Sequence, residues 1–177
     1  PQDSVTNILK NGQVTRVGWD EDDAAYYFDG YMAEMHVIDG SVVAHTEFGE
    51  TKDGIWVAKE YTGSHGTNGF YLPFASTAGD SVLFDSGRDQ YVTFTNSSHY
   101  DIDGADDFTI EFFFNTPDVG ANYGNFFGDY ATGGPHFLVA YSFSSSTRQL
   151  YFYTGNGAAF YWNIATDVTI AANTWHH

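Results

Sequence analysis

The chain of 177 residues is strongly acidic, with 23 Asp and Glu against 6 Lys and Arg and a formal net charge of −17. This charge argues against nucleic acid as a partner and against membrane insertion, because there are no basic patches to neutralise phosphates and no apolar run long enough to cross a bilayer. The absence of cysteine excludes disulfides and thiol chemistry. An aromatic content of 19% together with 19 Gly favours strands and tight turns over helices.

The first strands are predicted at residues 14–19 and 31–39, with an acidic loop at 20–23 between them. The second strand alternates with a period of two, and Asp39-Gly40 predicts a turn after it. The alternation gives two opposite faces: Tyr31, Ala33, Met35 and Val37 on one, and Met32, Glu34, His36 and Ile38 on the other.

A connecting segment is predicted next, at residues 46–80. Residues 46–54 have the composition of a loop, 55–58 of a short strand, and 70–74 of an extended piece. Pro73 places that last piece at a sheet edge or outside a sheet, because proline donates no backbone hydrogen bond.

Short strands at regular spacing follow Asp80, a pattern typical of an all-β sandwich. No helix longer than one turn is expected. The predicted strands are 82–84, 91–94, 108–115, 126–129, 137–143, 149–153, 160–164 and 168–170, with another beginning near Trp175.

Four segments within residues 81–177 resemble the opening strands of a laminin-G-like, or concanavalin A-like, lectin domain: "SVLFDSGRDQYVTF", "DDFTIEFFFNT", "RQLYFYTG" and "ANTWHH". Residues 14–39, with "YYFDGYMAEMHVIDG", resemble its closing strands. The resemblance implies an antiparallel all-β jelly-roll sandwich, incomplete in this chain or completed by donated strands. It divides the chain into closing strands at 1–45, a connecting segment at 46–80 and the opening strands of a second sandwich at 81–177.

A narrower resemblance covers "FDGYMAEMHVIDG" and "FGET…GIWVAKEYTGSHGTNGFYLPF", which are similar to a segment in structural proteins of marine tailed bacteriophages. It implies a virion appendage or decoration protein, exposed on an extracellular particle. The implied partners are other copies, other virion proteins and cell-surface glycans. The alternative is a carbohydrate-binding module of a secreted or cell-surface bacterial protein, and a glycoside hydrolase comes third.

The pattern Glu34-Met-His-Val-Ile-Asp39 can be compared with the catalytic acids of hydrolases that share this fold. Laminarinase-type hydrolases of this fold place two glutamates and an aspartate alternately on one strand face, so that nucleophile and acid flank the sugar bond. Here His36 replaces the middle acid and the final Glu is missing. The pattern predicts a protein that is not an enzyme, with Glu34 as a structural acid.

Calcium is the one cofactor that the acidic loops suggest. Asp101, Asp103 and Asp106 alternate around a glycine like the start of an EF-hand loop, but Phe112 stands where the bidentate acid belongs. A plain turn is the alternative. Asp20 and Asp22 form a similar candidate, with a solvated loop as the alternative. The seven histidines show no zinc spacing.

Aromatic side chains near turns are the candidate sugar contacts, because flat rings stack on sugar faces at a small entropic cost. Core or inter-subunit packing is the alternative role for each ring. The candidates are Tyr123, Tyr130, Tyr161 and Trp162, with Asn122, Asn125 and Asn156 as hydrogen-bonding partners.

Overall fold

The computed structural model describes residues 14–19, 26–74, 81–95, 107–117, 122–131, 134–143, 148–155, 160–168 and 170–177. At residues 122, 130–131, 134–136, 143, 148 and 160–163 it describes the backbone alone. None of the helical segments in these ranges is long and apolar enough to cross a membrane.

The described chain is built almost wholly of strands, with single 3-10 turns at His45–Glu47 and Ser86–Arg88. In chain order the strands are β1 (Val14–Val17), β2 (Gly30–Asp39), β3 (Gly49–Lys52), β4 (Ile55–Ala58), β5 (Phe70–Leu72), β6 (Val82–Phe84), β7 (Val92–Thr95), β8 (Phe108–Asn115), β9 (Asn122–Ala131), β10 (Gly134–Phe143), β11 (Arg148–Gly155) and β12 (Phe160–Asp167).

Two antiparallel sheets face each other across one core. The six-stranded sheet has the order β12-β11-β10-β9-β1-β7. In the four-stranded sheet, β2 pairs with β8 along most of its length, with β6 near its start and with β5 near its end. β3 and β4 form a separate hairpin. The predicted antiparallel all-β sandwich is confirmed.

The core between the sheets is dominated by phenylalanine. Phe28, Phe84, Phe126, Phe127 and Phe137 are each at most 1% exposed and belong to one buried cluster. Burying a phenylalanine side chain contributes roughly 1.5–3 kcal/mol, so these rings are a main source of the fold's stability. Most of the phenylalanines in the sequence belong to this core or pack against it.

Strands from both ends of the described chain share each sheet. β1 lies between β7 and β9 in the larger sheet, and β2 lies beside β6 and β8 in the smaller one. The residues that resemble closing strands therefore pair directly with those that resemble opening strands. The division of the chain at residues 45 and 80 stays a prediction.

A β-bulge in β2 makes the predicted facing of this strand wrong. Pairing with β8 runs from Ala33 opposite Phe113 to His36 opposite Glu111, so β2 carries one extra residue. Glu34 takes a positive φ of 50° at this point. Because of the extra residue, Met32 and Met35 both pack in the core, although simple alternation would place them on opposite faces of the strand.

The other strand predictions differ from the structure at a few places. The segment 46–54, predicted as a loop, contains β3, and residues 168 and 170 are not in a strand. Near the last predicted strand, His176 forms an isolated antiparallel bridge with Phe114 of β8. This bridge turns Trp175 and His177 toward the face opposite Phe114, as expected for neighbours in an extended segment.

Candidate functional site

The outer face of the six-stranded sheet carries a row of tyrosines. On β11, Leu150 and Phe152 pack against the core. Strand alternation therefore places Gln149, Tyr151 and Tyr153 on the opposite, outer face. We call Tyr123, Gln149, Tyr151 and Tyr153 the tyrosine strip.

The rings of the strip lie close to one another and nearly parallel. Tyr151 and Tyr153 have centroids 5.3 Å apart and planes only 5° apart. Tyr123, from β9, lies 6.0 Å from Tyr151 at 29°. On its other side Tyr123 meets Tyr26 at 5.1 Å. Each ring is held by its neighbours, so the phenols are positioned before any ligand arrives.

The polar ends of the strip form hydrogen-bonded pairs. The hydroxyls of Tyr123 and Tyr153 are 3.1 Å apart, and the Tyr151 hydroxyl donates to Gln149 Oε1 at 2.5 Å. Gln149 Nε2 in turn donates to Asp167 Oδ1 on β12 at 2.9 Å. Hydroxyls and amides both donate and accept, so this row presents mixed hydrogen-bonding capacity along one face.

The Tyr153 phenol of the strip stays uncharged. Burial, followed by the hydrogen bond that Tyr153 shares with Tyr123, raises the pKa of Tyr153 well above the usual 10. The Tyr153 hydroxyl therefore keeps its proton and can donate a hydrogen bond at all ordinary pH values.

The predicted sugar contacts are placed unevenly. Tyr123 belongs to the strip, partly exposed, whereas Asn125 on the same strand is fully buried and offers no surface to a ligand. Of the remaining candidates, Asn122, Tyr130, Tyr161 and Trp162 are described in backbone only, on β9 and β12, and Asn156 lies outside the described residues.

Sequence reasoning missed Tyr151, Tyr153 and Gln149, which lie inside a correctly predicted strand. Their signal is the alternation of residues 149–153, in which apolar Leu150 and Phe152 interleave with side chains that have polar ends. A strand that faces a core on one side only presents such a second row to solvent.

The outer face of the four-stranded sheet is different, because the β3–β4 hairpin and its flanking residues fold back over it. Phe48, before the hairpin, packs on His36 of β2 with centroids 5.0 Å apart. After the hairpin, Tyr61 packs on Phe48 at 4.8 Å. Between hairpin and sheet lie cavities of about 360, 390 and 580 Å³.

His36 is the centre of an aromatic cluster on this second face. It is 3% exposed, its Nδ1 lies 3.1 Å from His65 Nε2, and its ring is stacked on Tyr71. The pKa of His36 is lowered from 6.5 to about 4, mainly by burial and to a smaller extent by the neighbouring His65 and His177. His36 is therefore neutral at pH 7.

A family model described as concanavalin A-like lectin/glucanases superfamily matches residues 85–177, more than half of the chain. The chain belongs to this superfamily. The matched residues include β8 to β12, so they contain the whole strip and most of the sheet that bears it. No curated protein and no solved structure matches the chain.

Membership of the concanavalin A-like superfamily establishes the fold and is compatible with sugar binding, since the superfamily unites lectins and glucanases. It leaves catalysis open. Of the acids considered for hydrolysis, Glu34 lies at the bulge and accepts a short hydrogen bond from the Tyr71 hydroxyl. Asp39 accepts from the backbone and side chain of Asn68 at 3.1 and 3.0 Å.

The predicted calcium ligands Asp20, Asp22, Asp101, Asp103 and Asp106 all lie outside the described residues. Other aspartates of the sandwich make protein contacts instead. Asp85 accepts from Gly87 N at 3.0 Å, and buried Asp129 accepts from Phe137 N at 3.0 Å. The described part of the chain holds no group of three or more potential metal ligands. Calcium binding stays a prediction.

Proposed function

We propose that the chain is a non-enzymatic lectin-like module that binds neutral glycans on its tyrosine strip. The observation behind this proposal is the stacked row of tyrosines on the outer sheet face, with one hydrogen-bonded pair, Tyr123–Tyr153, and one hydrogen-bonded chain, Tyr151–Gln149–Asp167. A sugar chain presents hydroxyls at intervals along its length, each of them both donor and acceptor. A row of phenol and amide groups on a flat face matches that chemistry.

Charge and preorganisation support a neutral ligand. The chain has a net charge of −17, and Asp167 adjoins the strip at one end, so anionic glycans would be repelled. Tyr151 and Tyr153 are already stacked on each other. Little side-chain entropy is then lost on binding, which matters for weak polar ligands.

A glycan array followed by calorimetry tests this proposal. The wild type is expected to bind neutral glycans, and Tyr151→Phe and Tyr153→Phe should each weaken the binding about tenfold, because each removes one hydroxyl hydrogen bond. Tyr91→Phe is the matched control, since Tyr91 is exposed and packs at a tilt against Trp19, outside the strip. Unchanged affinity in the double variant Tyr151→Phe/Tyr153→Phe would overturn the proposal.

We further infer that the module serves on a virion, as an appendage or decoration protein that contacts other copies or other virion proteins. The support is the resemblance of residues 28–74 to bacteriophage structural proteins, together with exposed apolar side chains. Val42 is 76% exposed and Ile55 66% exposed, both within that segment. Exposed apolar groups of this kind suit packing against another subunit. The alternative is a carbohydrate-binding module of a secreted or cell-surface bacterial protein.

Quantitative mass spectrometry of purified particles separates these two settings. A virion component should be present at a fixed ratio to the major capsid protein in every preparation. Recovery only from culture supernatant or cell surfaces would favour the bacterial module.

The proposal that the chain is not an enzyme is tested with laminarin and mixed β-glucans as substrates. No reducing ends should be released by the wild type. Release that disappears in Glu34→Gln would overturn this part of the proposal and make Glu34 a catalytic acid.

A further inference from the structure

The cavity of about 580 Å³ on the outer face of the four-stranded sheet is lined by charged and aromatic side chains. Glu34 and His36 come from β2, Tyr71 comes from β5, and residues 58–61 come from the end of β4 and the segment after it. The volume lies within the range of roughly 300–1,000 Å³ that is usual for small-molecule sites. The tyrosine strip is on the other sheet, so this cavity is separate from the proposed glycan site.

Two glutamates give the cavity a negative charge. The Tyr71 hydroxyl donates to Glu34 Oε2, but Glu34 Oε1 and the carboxylate of Glu60 have no hydrogen-bond or ion-pair partner among the residues that the structure describes. The pKa of Tyr71 is raised by burial first, then by the hydrogen bond to Glu34 and by the charges of Glu34 and Glu60. Both carboxylates therefore act on the same hydroxyl, and they lie near enough to act on one ligand.

Lys59 also lines the cavity, but its charge is satisfied elsewhere. Its Nζ donates to the Thr46 carbonyl at 3.0 Å and lies 3.9 Å from Glu47 Oε2. Neither Thr46 nor Glu47 lines the cavity. The two glutamates of the lining are thus left for a cation from outside.

The imidazole of His36 adds a hydrogen-bond acceptor. His36 is 3% exposed, and its Nδ1 lies 3.1 Å from His65 Nε2. Its Nε2 makes no hydrogen bond with any residue that the structure describes and is not enclosed by protein, so it opens into the cavity that His36 lines. When Nδ1 donates to His65, Nε2 presents a lone pair there. Because the ring is neutral at pH 7, it does not repel a cation.

These groups discriminate between ligand classes. An anion would be repelled by the glutamates and by the net charge of −17. A metal ion would lack ligands, since the described part of the chain groups no three potential metal-ligating side chains. Tyr61 and Tyr71 line the cavity, and aromatic faces attract organic cations. An alkylammonium ion supplies a charge for the glutamates, N–H donors for Glu34 and His36, and apolar carbons for the tyrosines.

We propose that this cavity binds a primary alkylammonium group, held by Glu34, Glu60 and His36 against the rings of Tyr61 and Tyr71. A small free amine and a lysine side chain of a partner protein both present this group. The site does not depend on glycan binding at the tyrosine strip.

Titration of the intact chain with n-butylammonium chloride at about pH 7.5 tests the site, because an alkylamine with a pKa of about 10 is protonated there. The readout is the imidazole region of ¹⁵N–¹H spectra, with His36 assigned from His36→Phe. The His36 Nε2 signal should shift saturably as this nitrogen accepts the ammonium N–H. Sodium chloride at equal ionic strength and 1-butanol, which has no charge, should leave the signal in place.

The peptide acetyl-Ala-Lys-Ala-amide distinguishes the two sources of the ammonium group. Binding of both the peptide and n-butylammonium assigns the site to lysine side chains of a partner. Binding of n-butylammonium alone assigns it to small free amines.

Three substitutions of the same kind locate the binding. Glu34→Gln should weaken it about tenfold, because it removes a charge-assisted hydrogen bond. Glu60→Gln should weaken it about threefold, since Glu60 is exposed and its attraction is screened by solvent. Glu50→Gln should leave the affinity unchanged, because Glu50 pairs with Lys52 at 2.8 Å and does not line the cavity. Tyr153→Phe should also leave it unchanged, so failure of this site is distinguishable from failure of the strip.

The proposal is overturned if neither amine shifts the His36 signal saturably, if 1-butanol shifts it equally, or if the affinity is unchanged in Glu34→Gln. It is also overturned if tetramethylammonium, which has no N–H to donate, binds as tightly as n-butylammonium.

Discussion

The imidazole of His36 lies flat on the phenol of Tyr71, with ring centroids 4.4 Å apart and planes 10° apart. The two residues are directly opposite each other in the antiparallel pairing of β2 and β5. Phe48 and His65 close the same cluster from the hairpin side. A neutral ring is therefore buried where the hairpin segment is attached to the sheet.

Acid should weaken the fold through His36. Its pKa is about 4 in the folded protein, against 6.5 in the unfolded chain. Between these values the unfolded state binds the extra proton, so stability is complete above about pH 6.5 and falls as the pH drops toward 4. The expected loss is on the order of 3 kcal/mol. Urea unfolding at several pH values from 8 to 4 measures it.

His36→Phe provides the control, because phenylalanine fills the stack and cannot titrate. The slope of stability against pH should become shallower in this variant. Some slope should remain, since burial lowers the pKa of His65 in the same direction. Glu34 and His177 also lie near the cluster or influence it, and a slope equal to that of the wild type would assign the effect to groups other than His36.

Gly30 should be irreplaceable at the start of β2. Its φ is 144°, and a Cβ there would lie 2.1 Å from the backbone oxygen of Asn115 on β8. Backbone atoms of a paired strand cannot move aside cheaply, so Gly30→Ala should cost roughly 2 kcal/mol or more. Chemical denaturation measures the cost.

Gly40→Ala is the matched comparison. Gly40 also has a positive φ, of 79°, but a Cβ there meets nothing within 4 Å. Only the strain of the left-handed backbone remains, about 1 kcal/mol. Equal costs for the two substitutions would contradict the close approach of β2 and β8.

Thr109 should anchor the segment that leads to the hairpin. Its Oγ1 donates to the Ser41 carbonyl at 3.0 Å and accepts from Val43 N at 2.9 Å. Thr109→Val removes both bonds at nearly constant volume and should cost about 1–2 kcal/mol. It should also speed hydrogen exchange at the Val43 amide. Thr93→Val, on an exposed position of β7, should change neither quantity.

Much of the fold could be predicted from the sequence because strand periodicity and turn residues act locally. The sequence pattern predicts β8 at its true bounds, 108–115. The bulge in β2 was not predicted, since one extra residue at Glu34 leaves no local mark in an alternating pattern. The folding back of β3 and β4 depends on contacts of Phe48 and Trp56 with distant residues, which periodicity does not report.

The candidate site was predicted less well, for a related reason. The sequence predicts Tyr123 as a sugar contact because it is an aromatic residue near a turn, yet its neighbours in the strip come from β11. Only the pairing of β9, β10 and β11 brings Tyr151 and Tyr153 beside it. Glu34 and Glu60 are likewise joined by the fold alone, so their shared cavity could not be inferred from spacing.

A crystal structure of the protein soaked with the tightest neutral glycan from the array tests the proposed sugar site most directly. The account predicts ordered sugar hydroxyls within about 3 Å of the Tyr151 and Tyr153 hydroxyls. An ordered sugar elsewhere, with the tyrosine strip empty at saturating ligand, would contradict it.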